Sequence, residues 1–91
     1  MHSPKVAQST ETLQTWLAQR VATYVQRSPE EIRPDVPLAE YGLDSVYALT
    51  LAGDIEDYLG ISVDPTVMWD HPTIHALTEA LLPLANGLRA A

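Results

Sequence analysis

Three stretches of the chain repeat apolar residues every three or four positions, a spacing that gathers them on one side of an α-helix. Prolines and glycines interrupt these apolar patterns. The sequence shows neither a repeated segment nor a pair of strands. The pattern predicts an all-α fold. We expect a four-helix bundle of three longer helices and one short helix, with a long loop between helices one and two.

The first two longer helices have clear inward faces. Helix one is predicted over residues 10–27. Its apolar positions are Leu13, Trp16, Leu17, Val21, Tyr24 and Val25. Helix two is predicted to begin at Ser45 and to end at Gly60, which can adopt a left-handed cap. Its predicted inward stripe is Leu49, Ala52, Ile55 and Leu59, and the opposite polar face contains Tyr47, Thr50, Asp54 and Asp57.

The second half of the chain contains a short helix and a longer one. Asp64-Pro65 is typical of a helix start and predicts a short helix through Val67, Met68 and Trp69. Helix four follows His71-Pro72-Thr73 and is predicted to end at Pro83, because proline breaks the helical hydrogen-bond series. Its inner face is predicted to be Ile74, Leu77 and Leu81, which should form one core with Leu17, Val21, Leu49 and Ile55.

The connection between helices one and two is predicted to be mostly irregular. Residues 28–31 form a capping box with proline at the first helical position, which predicts a brief turn. Pro34 and Pro37 then prevent a regular helix up to Leu43. We expect this loop to be anchored to the core by Ile32, Val36 and Leu38.

Length and charge limit the class of protein. A chain of 91 residues provides one core, which we place at residues 10–83 between flexible tails at 1–9 and 84–91. The formal net charge of -7 argues against nucleic acid and anionic membranes and favours a basic protein partner. No apolar run is long enough to span a membrane, and cysteine is absent, so a monomeric cytoplasmic protein is the expectation.

Ser45 is the candidate functional residue. Asp44 is expected to cap helix two, which puts Ser45 at the first helical position with its hydroxyl in solvent beside a loop. An ordinary surface serine fits the same spacing. A catalytic serine does not, because Leu43 and Tyr47 stand where a nucleophile elbow needs glycine.

No metal site is predicted. His71 and His75 are four residues apart, but Pro72 starts a new helix between them, so both are interpreted as loop or surface residues. The acidic residues around Asp54 lack the alternating ligands and the central glycine of a calcium loop. From the residues alone, they form a solvated face.

The motif Gly42-Leu43-Asp44-Ser45 lies within LAEYGLDSVYALTLAGDIEDYL, residues 38–59, and GISV at 60–63 and HPTI at 71–74 follow it. This combination resembles acyl carrier proteins, in which Asp-Ser opens the second helix. The resemblance implies an acyl-carrier-like bundle in which Ser45 bears covalent 4′-phosphopantetheine. A phosphopantetheinyl transferase, which uses Mg²⁺, would move this group from coenzyme A, and Asp44 would also contribute to recognition by the transferase. The carrier would hold acyl groups as thioesters and catalyse nothing itself.

The resemblance also implies partners. They are the transferase, an acyl-loading enzyme (an acyltransferase or a fatty acyl-AMP ligase), and a ketosynthase or other synthase domains. Family members present an acidic side of helix two to basic enzyme surfaces, and Asp44 belongs to this region. The predicted partner-binding residues are Val46, Tyr47, Asp54, Glu56, Asp57, Met68 and Trp69. Trp16, Met68 and Trp69 are expected in the core or at its rim, and they could also border a groove for the acyl chain.

Details of the motif narrow the resemblance to polyketide or fatty-acid-type biosynthesis. Val46 replaces the commoner leucine, and Tyr47 and Thr50 stand where fatty-acid carriers often have polar or acidic residues, which favours carriers of modular polyketide synthases. Asp44 favours an acyl carrier over a peptidyl carrier, in which histidine is usual. The alternative function is an unmodified helical adaptor that binds a basic partner through the same acidic helix.

Overall fold

Residues 9–85 are described by a computed structural model, and they form helices joined by loops and turns. The helices are α1 (Thr10–Val25), α2 (Ser45–Leu59), α3 (Val67–Asp70) and α4 (Ile74–Ala85). Two short 3₁₀ turns, Pro29–Glu31 and Leu38–Tyr41, lie in the loop between α1 and α2. The predicted bundle of three longer helices and one short helix is confirmed.

The ends of α1 differ slightly from the prediction. Ser9, which the sequence pattern places in a flexible tail, caps the helix, because its hydroxyl oxygen accepts a hydrogen bond from the Thr12 N–H at 3.0 Å. Residues 1–8 of that predicted tail lie outside the described residues. The helix ends at Val25 and not at Arg27, because Gln26 adopts a left-handed conformation with φ 61° and its N–H bonds to the Ala22 carbonyl.

One apolar core joins all four helices and the loops. Its largest fully buried side chains come from α1, α2 and α4, and α1 packs chiefly on α4. They are Leu13, Leu17, Val21, Leu51, Ile55, Ile74, Leu77 and Leu81, with Thr78 among them. No helix in residues 9–85 is both long and apolar enough to cross a membrane.

The predicted inward stripe of α2 was wrong at Leu49, whose side chain is 58% exposed. The buried residues of this helix are Ala48, Leu51, Ala52, Ile55 and Leu59. At about 100° per residue, Leu49 points roughly 120° away from Ile55, whereas Ala48 and Ile55 lie nearly in line. The sequence pattern favoured the larger side chain at 49 over the small one at 48, and the small one faces the core.

The prediction that Pro83 ends α4 was also wrong, because the helix continues to Ala85. Proline lacks only its own N–H and disturbs the turn that precedes it, so the N–H groups of the next two residues remain available for helical bonds. Leu84 and Ala85 therefore belong to the helix and not to a tail. Residues 86–91 of the predicted tail lie outside the described residues.

Main-chain hydrogen bonds tie the α1–α2 loop to the segment that precedes α4. The Leu38 N–H donates to the Pro72 carbonyl at 2.8 Å, and the His75 N–H donates to the Pro34 carbonyl at 2.9 Å. Of the predicted anchors, Ile32 and Leu38 are buried and Val36 is half-buried. The loop that leads to Ser45 is thus fixed from both sides.

The connection from α2 to α3 follows the predicted chemistry with one difference. Gly60 ends α2 in the left-handed conformation, with φ 69°. The carboxylate of Asp64 accepts hydrogen bonds from the N–H and the hydroxyl of Thr66, both at 2.9 Å, and these bonds lower the pKa of Asp64. Asp64 therefore forms a tight turn, and α3 begins three residues later, at Val67.

Candidate functional site

Ser45 is the first residue of α2, as predicted. The Asp44 carboxylate caps the helix by accepting the Tyr47 N–H at 3.0 Å, and the Asp44 carbonyl accepts the Ala48 N–H at 2.9 Å. Ser45 is exposed, and within residues 9–85 its side chain makes no hydrogen bond. The hydroxyl is therefore free to be modified without the loss of an internal contact.

The two residues before Asp44 fix the approach of the chain. Gly42 has φ 90°, a left-handed conformation that side-chain-bearing residues rarely adopt, and its N–H bonds to the Ala39 carbonyl at 3.0 Å. Leu43 is buried in the core next to this turn. The turn and the anchor together set the position at which the chain enters α2, so Gly42, Leu43 and Asp44 each have a separate structural task.

Exposed apolar side chains lie close to Ser45 in the sequence of α2 and also on α3. The side chains of Val46, Leu49 and Trp69 are 67%, 58% and 61% exposed. A cavity of about 130 Å³ lies between the start of α2, the 3₁₀ turn that precedes it, and α3. Its lining is Leu38, Ala39, Leu43, Ala48, Met68, Trp69 and Pro72.

Two of the three residues expected in the core or at the rim of a groove lie beside this cavity. Met68 is only 4% exposed, so it forms a wall of the cavity and is not available as a surface contact for a partner. Trp69 lies at the mouth of the cavity and is exposed. Trp16 does not border the cavity, because it stacks on the ring of Tyr58, with centroids 4.2 Å apart.

The predicted acidic face of α2 is divided by its contacts. Asp54 accepts a hydrogen bond from the Tyr24 hydroxyl on α1, and Glu56 accepts the Val63 N–H at 2.8 Å. Asp57 alone of this acidic group is classed as exposed; the other two are half-buried. Two of the three predicted docking carboxylates therefore serve the fold, and only Asp57 is fully presented to solvent.

The Tyr24 contact forms part of an aromatic seam between α1 and α2. The ring of Tyr47 packs on that of Tyr24 with centroids 5.6 Å apart, so Tyr47 is directed toward α1 and only partly toward solvent. Desolvation, and then the hydrogen bond to Asp54, raise the pKa of Tyr24. A tyrosine within an apolar stripe needs a partner for its hydroxyl, and this need was the one sequence signal for the contact.

Neither His71 nor His75 lines the cavity beside the start of α2. His75 lies at the surface, with its Nε2 3.2 Å from the carboxylate of Glu79. His71 is half-buried at the end of α3. Within residues 9–85, no group of three histidine, aspartate or glutamate side chains is placed to hold a metal ion.

Comparison with known protein families identifies the family to which the chain belongs. The model of the phosphopantetheine attachment site family matches residues 15–81, which include the capped start of α2. The chain belongs to this family. It is therefore a non-catalytic carrier domain, and its cofactor is covalently attached 4′-phosphopantetheine.

The chain is similar to part of a polyketide synthase and to separate carrier proteins. It is 39% identical over 69 residues to a phenolphthiocerol/phthiocerol polyketide synthase of Mycobacterium tuberculosis, a match that covers 76% of this chain and 4% of that protein. The acyl carrier protein LipD of Actinoplanes friuliensis is 44% identical with a TM-score of 0.74, over 96% of this chain and 97% of that one. A free-standing peptidyl carrier protein from Acinetobacter baumannii is 38% identical with a TM-score of 0.80, over 84% and 95%.

The residues at the start of α2 fit the cofactor of the family. A covalent group needs a hydroxyl that reaches solvent, and Ser45 has one that no residue in the range 9–85 engages. One contributor to the exposed surface of α2, Leu49, does not follow from the sequence pattern, because the pattern assigns it to the core.

Proposed function

We propose that Ser45 is the residue that receives 4′-phosphopantetheine, and that the domain shuttles thioester-bound acyl intermediates between enzymes of polyketide or fatty-acid-type biosynthesis. The observation that carries this proposal is the exposed Ser45 hydroxyl at the first turn of a capped helix, within the segment that matches the family. When attached, the cofactor supplies a thiol, which a chain without cysteine otherwise lacks.

The task of the chain's own residues is to present this hydroxyl. Asp44 fixes the first turn of α2, and Gly42 and Leu43 fix the loop before it, so Ser45 holds one position while its side chain stays accessible. The transferase then supplies the Mg²⁺ and the proton acceptor. The Ser45 oxygen forms a new bond to the phosphorus of the phosphopantetheine, the bond from that phosphorus to the nucleotide part of coenzyme A breaks, and the hydroxyl proton leaves.

The proposed partners are a phosphopantetheinyl transferase, an acyltransferase or fatty acyl-AMP ligase that loads the thiol, and a ketosynthase or other synthase domain that consumes the acyl group. Similarity to a mycobacterial polyketide synthase supports this set, although the chain spans only a small part of that protein's length. Asp44 before the serine favours acyl over peptidyl cargo. The proposed contact surface includes Val46 and Trp69, with Asp57 as the steering charge.

The intact mass of the protein after incubation with coenzyme A and a broad-specificity transferase tests the proposal. We expect one added phosphopantetheinyl group, which peptide mapping places on Ser45. Ser45→Ala should fold and stay unmodified, and the matched variant Ser62→Ala, at an exposed loop serine, should be modified at the wild-type rate. A wild-type chain that never gains the group would favour the unmodified adaptor, and modification of Ser45→Ala at the wild-type level would exclude Ser45 as the site.

A further inference from the structure

An aromatic pair joins the first turn of α2, residues 45–47, to α1. Ser45 and Val46 in this turn are exposed. The ring of Tyr47 packs on the ring of Tyr24, with centroids 5.6 Å apart and 23° between the ring planes. Tyr24 lies in the last turn of α1 and is half-buried. A side chain of α1 therefore bears directly on the turn that contains the proposed modification site.

Tyr47 also donates the hydrogen bond that caps the helix. Its N–H donates to the Asp44 carboxylate at 3.0 Å, and the Ala48 N–H donates to the Asp44 carbonyl at 2.9 Å. The first N–H groups of a helix have no partner within the helix, so such bonds keep the first turn closed. The stack and the cap thus act on the same residue, Tyr47, two positions after Ser45.

Tyr24 is held by α2 at two points. Its ring contacts the ring of Tyr47, and its hydroxyl donates a hydrogen bond to the Asp54 carboxylate. Tyr47 and Asp54 are seven residues apart and so lie on the same face of α2. Because both the ring and the hydroxyl are engaged, the Tyr24 side chain has little freedom to leave the stack.

We propose that Tyr24 is a positioning residue for the modification of Ser45. Its ring holds the ring of Tyr47, which keeps the Tyr47 N–H on Asp44 and the first turn of α2 closed. A closed turn presents the Ser45 oxygen at one position, whereas an open turn presents it at many. Attack on phosphorus requires a fixed approach, so the transferase should react with the closed turn. The inference rests on the proposed role of Ser45 and assigns a part in the same reaction to a residue of α1.

The test is Tyr24→Leu, with Trp16→Leu as its matched control. Trp16 is also a half-buried aromatic residue of α1, and it stacks on Tyr58 in the last turn of α2, with centroids 4.2 Å apart. Each variant removes one aromatic pair between the same two helices, so both should lower the thermal midpoint. The variant at Tyr24 alone removes a contact of the turn that contains Ser45.

Amide hydrogen exchange of the unmodified chain, followed by NMR, measures the opening of this turn. The Tyr47 and Ala48 amides exchange through local opening of the helix end, which does not require global unfolding. The ratio of open to closed turns follows from their exchange rates and the rate of an unprotected amide. We expect Tyr24→Leu to raise this ratio by about two- to tenfold, the effect of losing one aromatic pair. Trp16→Leu should not change it, and Tyr24→Phe, which keeps the ring, should stay close to the wild type.

Single-turnover transfer from coenzyme A, with the transferase in excess, measures the consequence for Ser45. The rate at saturating transferase reports the reaction in the complex, and the transferase concentration at half saturation reports binding. Helix ends open with free energies near zero, so the expected rise in opening lowers the closed fraction by about 1.5- to fivefold. We expect Tyr24→Leu to lower the saturating rate by this factor without a change in half saturation. Trp16→Leu and Tyr24→Phe should react like the wild type.

The outcomes separate the contact from the modification. An opening ratio unchanged in Tyr24→Leu, or raised equally in Trp16→Leu, would overturn the proposal, as would a raised ratio with an unchanged saturating rate. If Tyr24→Leu did not fold, Tyr47→Leu would remove the same pair from the α2 side, and a normal exchange rate of the Ala48 amide in it would overturn the proposal as well. A wild type that never gained the group would refute the proposed role of Ser45 itself, a result visible in its intact mass.

Discussion

Truncation of two leucines on α2 separates its core face from its exposed face. Leu51 is fully buried, at 0% exposure, whereas Leu49 is 58% exposed and only two residues away. Leu51→Ala removes the isopropyl group of a fully buried side chain and leaves a cavity, which should lower the free energy of unfolding by about 2–5 kcal/mol. Leu49→Ala removes a side chain that is mostly in water and should change it by less than about 1 kcal/mol.

The size of the domain makes this difference easy to measure. At about 0.05–0.15 kcal/mol per residue, a chain of 91 residues has about 5–14 kcal/mol of stability in total. Each kcal/mol shifts the thermal midpoint of a domain this small by about 4–8 °C, so Leu51→Ala should lower it by at least about 8 °C. Urea and thermal unfolding followed by far-UV circular dichroism give both quantities.

In the transferase assay, the variant that is the less affected in stability should be the more affected in its rate of modification. Leu49→Ala should fold like the wild type and yet receive phosphopantetheine more slowly, because it loses an exposed apolar side chain one helical turn from Ser45. Leu51→Ala, measured at a temperature where it is folded, should react at close to the wild-type rate. Equal losses of stability in the two variants, or a larger loss for Leu49→Ala, would refute the assignment of faces on α2.

Three further predictions concern polar contacts. Asp57→Lys should slow association with the transferase at low salt without a change in stability, because Asp57 is exposed. Asp54→Lys should lower the thermal midpoint, because it removes the carboxylate that accepts the hydrogen bond of the Tyr24 hydroxyl. Equal changes of association rate and thermal midpoint in the two variants would contradict the division of the acidic face. The pKa of Tyr24 is raised above its ordinary value of 10.0. The stability that the protonated Tyr24 hydroxyl contributes to the fold is therefore intact below that pH and is lost as the pH rises through the folded-state pKa. Alkaline titration of stability should show this loss in the wild type and not in Tyr24→Phe. Glu56→Ala leaves the N–H of the buried residue Val63 without its acceptor and should lower the free energy of unfolding in urea by about 1–3 kcal/mol, whereas Glu56→Gln, which keeps an acceptor oxygen, should lower it less.

Local chemistry was enough to predict the start and end of α2. Asp44 accepts a hydrogen bond three residues away, and Gly60 adopts a conformation that its own lack of a side chain permits, so both depend only on nearby residues. The Ser45 position follows from the same cap. These features could be predicted because their causes lie within a few residues of each other.

Features that depend on distant partners could not be predicted in this way. Asp54 bonds to Tyr24, thirty residues earlier in the chain, and the orientation of Leu49 depends on which side of α2 packs on the core. The pattern of polar residues cannot distinguish a carboxylate in solvent from one that is engaged by another helix. The exposed position of Leu49 was missed for the same reason, since it becomes visible only when the buried face of α2 is known.

The two bonds that join the α1–α2 loop to the segment before α4 use backbone atoms alone, the Leu38 N–H with the Pro72 carbonyl and the His75 N–H with the Pro34 carbonyl. Main-chain donors and acceptors are the same for every residue except proline, which lacks the N–H, and both prolines here act as acceptors. Side chains around the 130 Å³ cavity can therefore be exchanged without the loss of either bond. The position of the loop that leads to Ser45 is thus independent of which side chains form the cavity wall.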